Sequence, residues 1–289
     1  MKSFIKKSRP GFTLPAVFTA ILFQLMLYCS AGVFAVTEDD GAFGLTNFAF
    51  ASYLGTGFYT TSGQKVFVLQ LPFEHEIRKK TSTEEGWVLK LPVTIGIINF
   101  DGLDTEELPG ISDVTTITFL PGIEYRHPVT LNWTLSPFAD YGFARDLNNT
   151  TNVLVMGTGI KSHFNFSLGS QYFTLGNRLL YARERSRLSS NDSDYTLVET
   201  GISYNLPRGF SFANKPLFAN IYYINFYYPN NLVFLENTRN PIRIGVEHEF
   251  GFTISNIPDF LFFERPQLGL GIRYGNNVKV YRLIFGMPF

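Results

Sequence analysis

From about residue 45 onward the chain alternates. Apolar and polar side chains trade places at every second position, and turn-forming residues interrupt the pattern at near-regular intervals. A period of two puts successive side chains on opposite faces of an extended strand. Twelve such segments can be traced, at roughly 45–61, 64–77, 87–100, 113–126, 132–146, 152–166, 171–186, 194–206, 216–228, 241–254, 266–274 and 277–289. Connections such as TSGQ, HPVTLN, DLNNTTN and SLGS separate them, and none is long enough to divide two domains. In 113–126, Ile117, Phe119, Ile123 and Tyr125 share one face, against Thr116, Thr118, Glu124 and Arg126 on the other. The last segment repeats the pattern, with Tyr281, Leu283, Phe285 and Met287 on one face ahead of a terminal Phe289.

A soluble sandwich or barrel turns the apolar face inward, whereas a transmembrane barrel turns it toward lipid and keeps the polar face inside. The aromatic residues favour the second arrangement. With the N-terminus on the inner side, Trp87, Tyr125, Trp133, Phe164, Phe173, Tyr204 and Phe289 fall at inner strand ends, and Phe100, Phe143, Phe226 and Tyr228 at outer ones. Two aromatic belts are what a bilayer interface selects. In lipid every backbone group needs a partner, so the last strand is expected to pair with the first. The fold expected is all-β: a closed antiparallel transmembrane β-barrel of about twelve strands with up-and-down topology.

The first 35 residues sharpen the location. Lys2, Lys6, Lys7 and Arg9 precede the apolar run FTLPAVFTAILFQLMLYCS and the small-residue stretch AGVFA, the order of a secretory signal peptide. The expected division is a signal peptide at 1–35 and a barrel domain at 36–289, placed in the bacterial outer membrane. Cys29 is the only cysteine, so the barrel carries no disulfide. Four of the 24 Lys and Arg lie in the leader, which leaves 20 against 24 Asp and Glu and argues against a nucleic-acid partner.

Four stretches, LKLPVTIGIINFD (89–101), FLPGIEYRHPVTLNWTLSPFADYG (119–142), TLGNRLLYA (174–182) and VYRLIFGMPF (280–289), resemble the solitary outer-membrane autotransporter-like β-barrel family. The resemblance covers about residues 65–289. It implies a barrel like an autotransporter translocator with no passenger domain, inserted by the barrel-assembly machinery. One position departs from the usual assembly signal: Ile284 stands where a glycine is common, and Gly286 is displaced.

Strand parity puts Glu74, Glu76, Lys90, Glu124 and Arg126 inside on neighbouring strands, with Asp140, Arg178, Arg243, Glu247, Glu249, Arg273 and Arg282 also facing inward. Mixed signs predict salt bridges across the lumen, read either as a constriction for a small solute or as a network that fills a narrow barrel. Pro72, Pro92, Pro121 and Pro137 lie mid-strand in four consecutive strands, at one level. Proline cannot donate to a ladder, so bulges or a kink are expected there, with freed carbonyls turned to lumen water or side chains. Arg183, Arg185 and Arg187 at an outer strand end have the guanidinium forks that match lipopolysaccharide phosphates. Trp87, Tyr125, Trp133, Tyr204 and Phe289 are the interface aromatics expected to meet outer-membrane lipid. The four histidines form no nucleophile–base pair with Ser or an acid, and neither a cofactor motif nor metal-ligand spacing appears. The leading expectation is a small passive pore or structural surface protein without enzymatic activity. An adhesion barrel using the loops at 101–113 and 228–240 comes second, and an outer-membrane hydrolase third.

Overall fold

The computed structural model describes residues 52–61, 64–98, 115–147, 152–186, 192–206, 210–212, 215–235, 241–257, 267–275 and 278–289. The signal peptide, Arg187, Phe100 and the loop at 101–113 lie outside these residues, as does 236–240 of the loop at 228–240.

The strands are β1 (Gly57–Thr61), β2 (Gln64–Leu71), β3 (Glu74–Arg78), β4 (Gly86–Lys90), β5 (Val93–Ile98), β6 (Thr116–Phe119), β7 (Gly122–Thr130) and β8 (Trp133–Asp146). They continue with β9 (Asn152–Leu168), β10 (Gln171–Ser186), β11 (Asp192–Asn205), β12 (Phe210–Phe212), β13 (Lys215–Leu235), β14 (Pro241–Ser255), β15 (Leu268–Gly275) and β16 (Val278–Phe285). All pairings are antiparallel, and together they make a closed barrel of twelve staves. The predicted closure of last strand on first is present: β16 pairs β1 from Gly57↔Arg282 to Thr61↔Val278. β12 stands off the ring as a short partner of β13. The rim carrying the two-residue turns 131–132 and 169–170 is called the inner rim below.

Three staves are broken, each at a proline. β2 and β3 flank Pro72, β4 and β5 flank Pro92, and β6 and β7 flank Pro121. The fourth proline departs from expectation: Pro137 sits within an uninterrupted β8, opposite Ile160 of β9. The freed carbonyls also go elsewhere than expected. Leu91 N–H donates to the Phe73 carbonyl at 2.8 Å, Leu120 N–H to Pro92 at 3.2 Å and Tyr141 N–H to Pro121 at 2.9 Å. Backbone stitches the breaks, because the staggered staves offer each bent carbonyl the amide of the next strand.

Burial alternates as the period of two requires. Along β8, Ser136, Phe138, Asp140 and Ala144 are buried, while Tyr141 and Phe143 are exposed. The outward face is apolar, with Ile221, Phe250, Phe252, Leu268, Leu270, Ile272, Tyr281, Leu283 and Phe285 all exposed. Glu124, Asp140, Glu199, Glu247, Glu249 and Arg273 are buried inside. Apolar surface outside and charge inside is the inverse of a water-soluble barrel, and a contiguous apolar band of this extent calls for lipid.

Candidate functional site: the barrel interior

The interior is layered. Toward the outer rim it is apolar, packed by Ala144, Val153, Val155, Ala182, Tyr195, Leu197, Val278 and Val280, all buried. A transmembrane barrel is expected to keep its polar face inside. The narrow lumen instead brings facing walls into contact, so small and β-branched residues fill it as a core.

The middle layer holds the charges in two groups. In the first, Lys90 Nζ lies 2.6 Å from Asp140 Oδ1 and 4.4 Å from the centre of the Phe138 ring. Glu124 is held by Arg126 Nε and Lys161 Nζ, each at 2.8 Å, and Arg126 reaches Glu74 and Glu76 at 3.4 Å. In the second group, Glu249 takes Arg273 Nε at 2.8 Å and Arg282 Nη1 at 2.9 Å, and accepts the Tyr222 hydroxyl at 2.9 Å. Arg273 also approaches Glu247 at 3.7 Å and stacks 3.6 Å over the Phe226 ring. Tyr228 donates to Glu247 at 3.1 Å. Between the groups, Arg178 pairs with Glu199 at 2.5 Å. Charges so deeply buried persist only when each is paired and hydrogen-bonded.

Of the twelve acidic and basic residues read from the sequence as lumen-facing, nine have buried or half-buried, ion-paired side chains, and Glu74 and Glu76 are exposed at the rim while paired to Arg126; the twelfth is Arg243, whose backbone pairs with Val233. Lys161 and Glu199 were missed, although their strand parity matches that of their partners.

Both ends of the described chain also enter the lumen. Before β1, residues 52–54 form a helical turn, and Gly55 (φ 83°) redirects the chain into the wall. The Tyr53 hydroxyl donates to Asp140 Oδ2 at 2.9 Å, and its ring end sits against Gly157 of β9, where no side chain would fit. Gln70 Nε2 donates to the Ser52 carbonyl at 2.9 Å, anchoring the turn to β2. After β16, Gly286 adopts φ 96° and turns the last residues inward. The Phe289 ring wedges against Gly176 of β10 and Gly201 of β11, across the lumen from β16, and His163 Nε2 lies 3.1 Å from the Phe289 backbone oxygen.

Phe289 therefore leaves the aromatic belt in which parity placed it. The signals for this were local: a Gly–Met–Pro sequence after the strand, and two glycines facing each other in register at 176 and 201. Phe226 and Tyr228 also leave the expected outer belt, being buried inside as partners of Arg273 and Glu247. The other interface aromatics line the outward face near the inner rim. Trp87 and Tyr125 have ring centres 4.8 Å apart, Phe173 and Tyr204 lie 5.0 Å apart, and Trp133 Nε1 donates to Ser162 at 2.9 Å. Arg183 and Arg185 stand opposite Asp194 and Asp192 in the β10–β11 ladder. His248 faces outward beside Tyr223, whose hydroxyl lies 2.8 Å from Nδ1.

The architecture defines a twelve-stranded barrel with an apolar exterior and a filled, charged interior. No family model matches the chain, and no curated protein matches it. Among solved structures it is similar to the beta domain of the Bordetella autotransporter BrkA, at 10% sequence identity and a TM-score of 0.44, covering 79% of this chain and 93% of that one.

Proposed function

We propose that the protein is an integral outer-membrane β-barrel that serves as a closed structural surface protein rather than an open solute pore. The observation that carries this reading is the occupied lumen. Tyr53 reaches Asp140 in the centre, Phe289 spans to the far wall, and the outer layer is apolar and packed. An aqueous channel needs a continuous polar path. Here ion pairs and aromatic rings take up that path, so the charges act as internal buttresses. The outward apolar band and the aromatic rim support a lipid setting, and a leader at 1–35 would deliver the chain to the barrel-assembly machinery. Arg183 and Arg185, at the outer end of β10, are the groups suited to lipopolysaccharide phosphates. A surface of this kind requires no chemistry of its own.

Conductance in a planar bilayer tests the proposal. The refolded protein is expected to insert stably and pass no discrete current steps. Tyr53→Gly, which removes the central plug side chain, is expected to introduce flickering conductance. Large, regular steps from the unaltered protein would overturn the closed reading and restore the pore.

A further inference from the structure

Val278 and Val280 are buried in the interior, so Lys279 between them stands exposed on the outward, apolar face of β16, next to the outer rim. Among the described residues it makes no ion pair, and its ammonium rests 5.0 Å from the centre of the Tyr281 ring. A lipid-facing cation is costly at the bilayer midplane and costs little near the surface. A cation–π contact to an exposed ring is weak and leaves the charge without a counter-ion.

The strand register puts other polar groups beside it. Lys279 stands opposite Tyr274 of β15, and Tyr274 opposite His248 of β14, so the three follow one another across adjacent strands. Tyr274 is exposed, and its ring centre lies 5.9 Å from that of His248. On the far side of His248, the Tyr223 hydroxyl and Asn225 Nδ2 lie 2.8 Å and 3.4 Å from Nδ1. A carboxamide nitrogen only donates, so Nδ1 accepts and the ring hydrogen sits on Nε2. The Nε2–H group, the Tyr274 hydroxyl and the Lys279 ammonium then have no hydrogen bond to a described residue. Two residues further from the outer rim the same strands carry Phe250, Ile272 and Tyr281, also outward and exposed. Polar groups above an aromatic and apolar row are the order found at the edge of a bilayer.

Three donors in a row, one of them a cation, fit an anion that lies against an apolar surface. Adjacent strands are about 4.8 Å apart, so the three reach over about 10 Å, the scale of a head group rather than of a single small ion. We propose that His248, Tyr274 and Lys279 seat the phosphate of an outer-leaflet glycolipid, the lipopolysaccharide class. Lys279 supplies the charge, His248 Nε2 and the Tyr274 hydroxyl donate to phosphate oxygens, and the acyl chains lie along Phe250, Ile272 and Tyr281. The inference rests on the membrane reading above, and it places the site on β14–β16, apart from Arg183 and Arg185 on β10.

The test is native mass spectrometry of the full refolded barrel in a neutral detergent, titrated with diphosphoryl lipid A and, separately, with phosphatidylglycerol. Insertion into phospholipid vesicles checks the membrane reading by itself. Lipid A is expected to be retained at lower concentration than phosphatidylglycerol. Lys279→Gln is expected to weaken that retention at least about tenfold, the worth of one charge-assisted hydrogen bond, while Lys279→Arg preserves it. His248→Phe, which keeps the ring and removes the donor, is expected to weaken it by less. A barrel that inserts into vesicles yet retains lipid A no better than phosphatidylglycerol would overturn the inference and leave the membrane reading standing. Undiminished retention by Lys279→Gln, with loss when Arg183 and Arg185 are replaced instead, would move the site to β10 and overturn it equally. Failure to insert would overturn the membrane reading and this inference with it.

Discussion

The two sides of the inner mouth are built differently. Under the long staves the wall is continuous: β9 runs 17 residues, β10 16 and β13 21. Among the described residues its rim is lined by Asn, Ser and Thr together with Phe166, Tyr172 and Phe173. Under the proline breaks the staves are short, with 5 residues in β3, 5 in β4 and 4 in β6. There the interior is ionic, held by Lys90, Arg126, Lys161 and their four carboxylates. Where the backbone ladder is complete, ion pairs still cross between strands, but deeper in the lumen, at Arg178–Glu199 and at Glu249 with Arg273 and Arg282. Where it is interrupted, charge pairs bridge from strand to strand and take over part of the ladder's role.

The sharpest test of that division is the depth at which a charge sits. Glu249 is fully buried and serves two arginines that are nearly or largely buried themselves. Glu249→Ala would leave Arg282 facing Arg273 without its counter-charge, and Arg273 with only the longer contact to Glu247 at 3.7 Å. Breaking a buried pair costs about 3–5 kcal/mol. Urea unfolding of the refolded barrel in lipid vesicles, followed by tryptophan fluorescence, should show a loss of that size. Charge in this interior is structural if the loss appears, and a change under about 1 kcal/mol would show that water already reaches the site.

Much of the fold was legible because period two is a local property. The twelve alternating segments, the closure of last strand on first and the outward Leu268, Leu270, Ile272 and Tyr274 follow from counting positions. Nine of the charged lumen residues were read the same way. What could not be read depends on distance across the lumen. Parity says that Val153 and Val155 point inward; only the barrel's narrowness says they meet another wall and form a core. Parity likewise placed Phe289 in a belt, because nothing in the strand itself reports that Gly286 turns the chain toward two glycines more than 80 positions upstream. Tyr53 was invisible for the same reason, since its partner Asp140 is 87 residues away.

A smaller effect is expected at the rim. Arg126 meets Glu74 and Glu76 at 3.4 Å, and their carboxylates are 44% and 42% exposed, while the buried Glu124 keeps Lys161 as a second partner. Arg126→Ala should cost about 1 kcal/mol at most, and less in high salt, because exposed pairs are weak and screened. The same vesicle unfolding, repeated at low and high salt, checks this. A salt-independent loss as large as that of Glu249→Ala would erase the distinction between the rim and the buried layer.

The smallest effect on stability carries the most information about the wall. Replacing Pro72, Pro92 and Pro121 together with alanine gives three new N–H donors to strands that already face partners. Each regained ladder bond is worth about 0.5–1.5 kcal/mol. Each lost proline frees the unfolded chain by about 0.4–1 kcal/mol. The terms nearly cancel, so the unfolding midpoint should hardly move. Hydrogen exchange is the decisive readout. If the prolines cause the breaks, the new amides at 72, 92 and 121 gain protection like that of β9. If those amides exchange freely, the bend is imposed from inside, by the Tyr53 turn and the Lys90–Asp140 pair at the same side of the lumen. The prolines would then be residues that tolerate a bend they do not create, and the ionic side of the mouth would owe its shape to the plug.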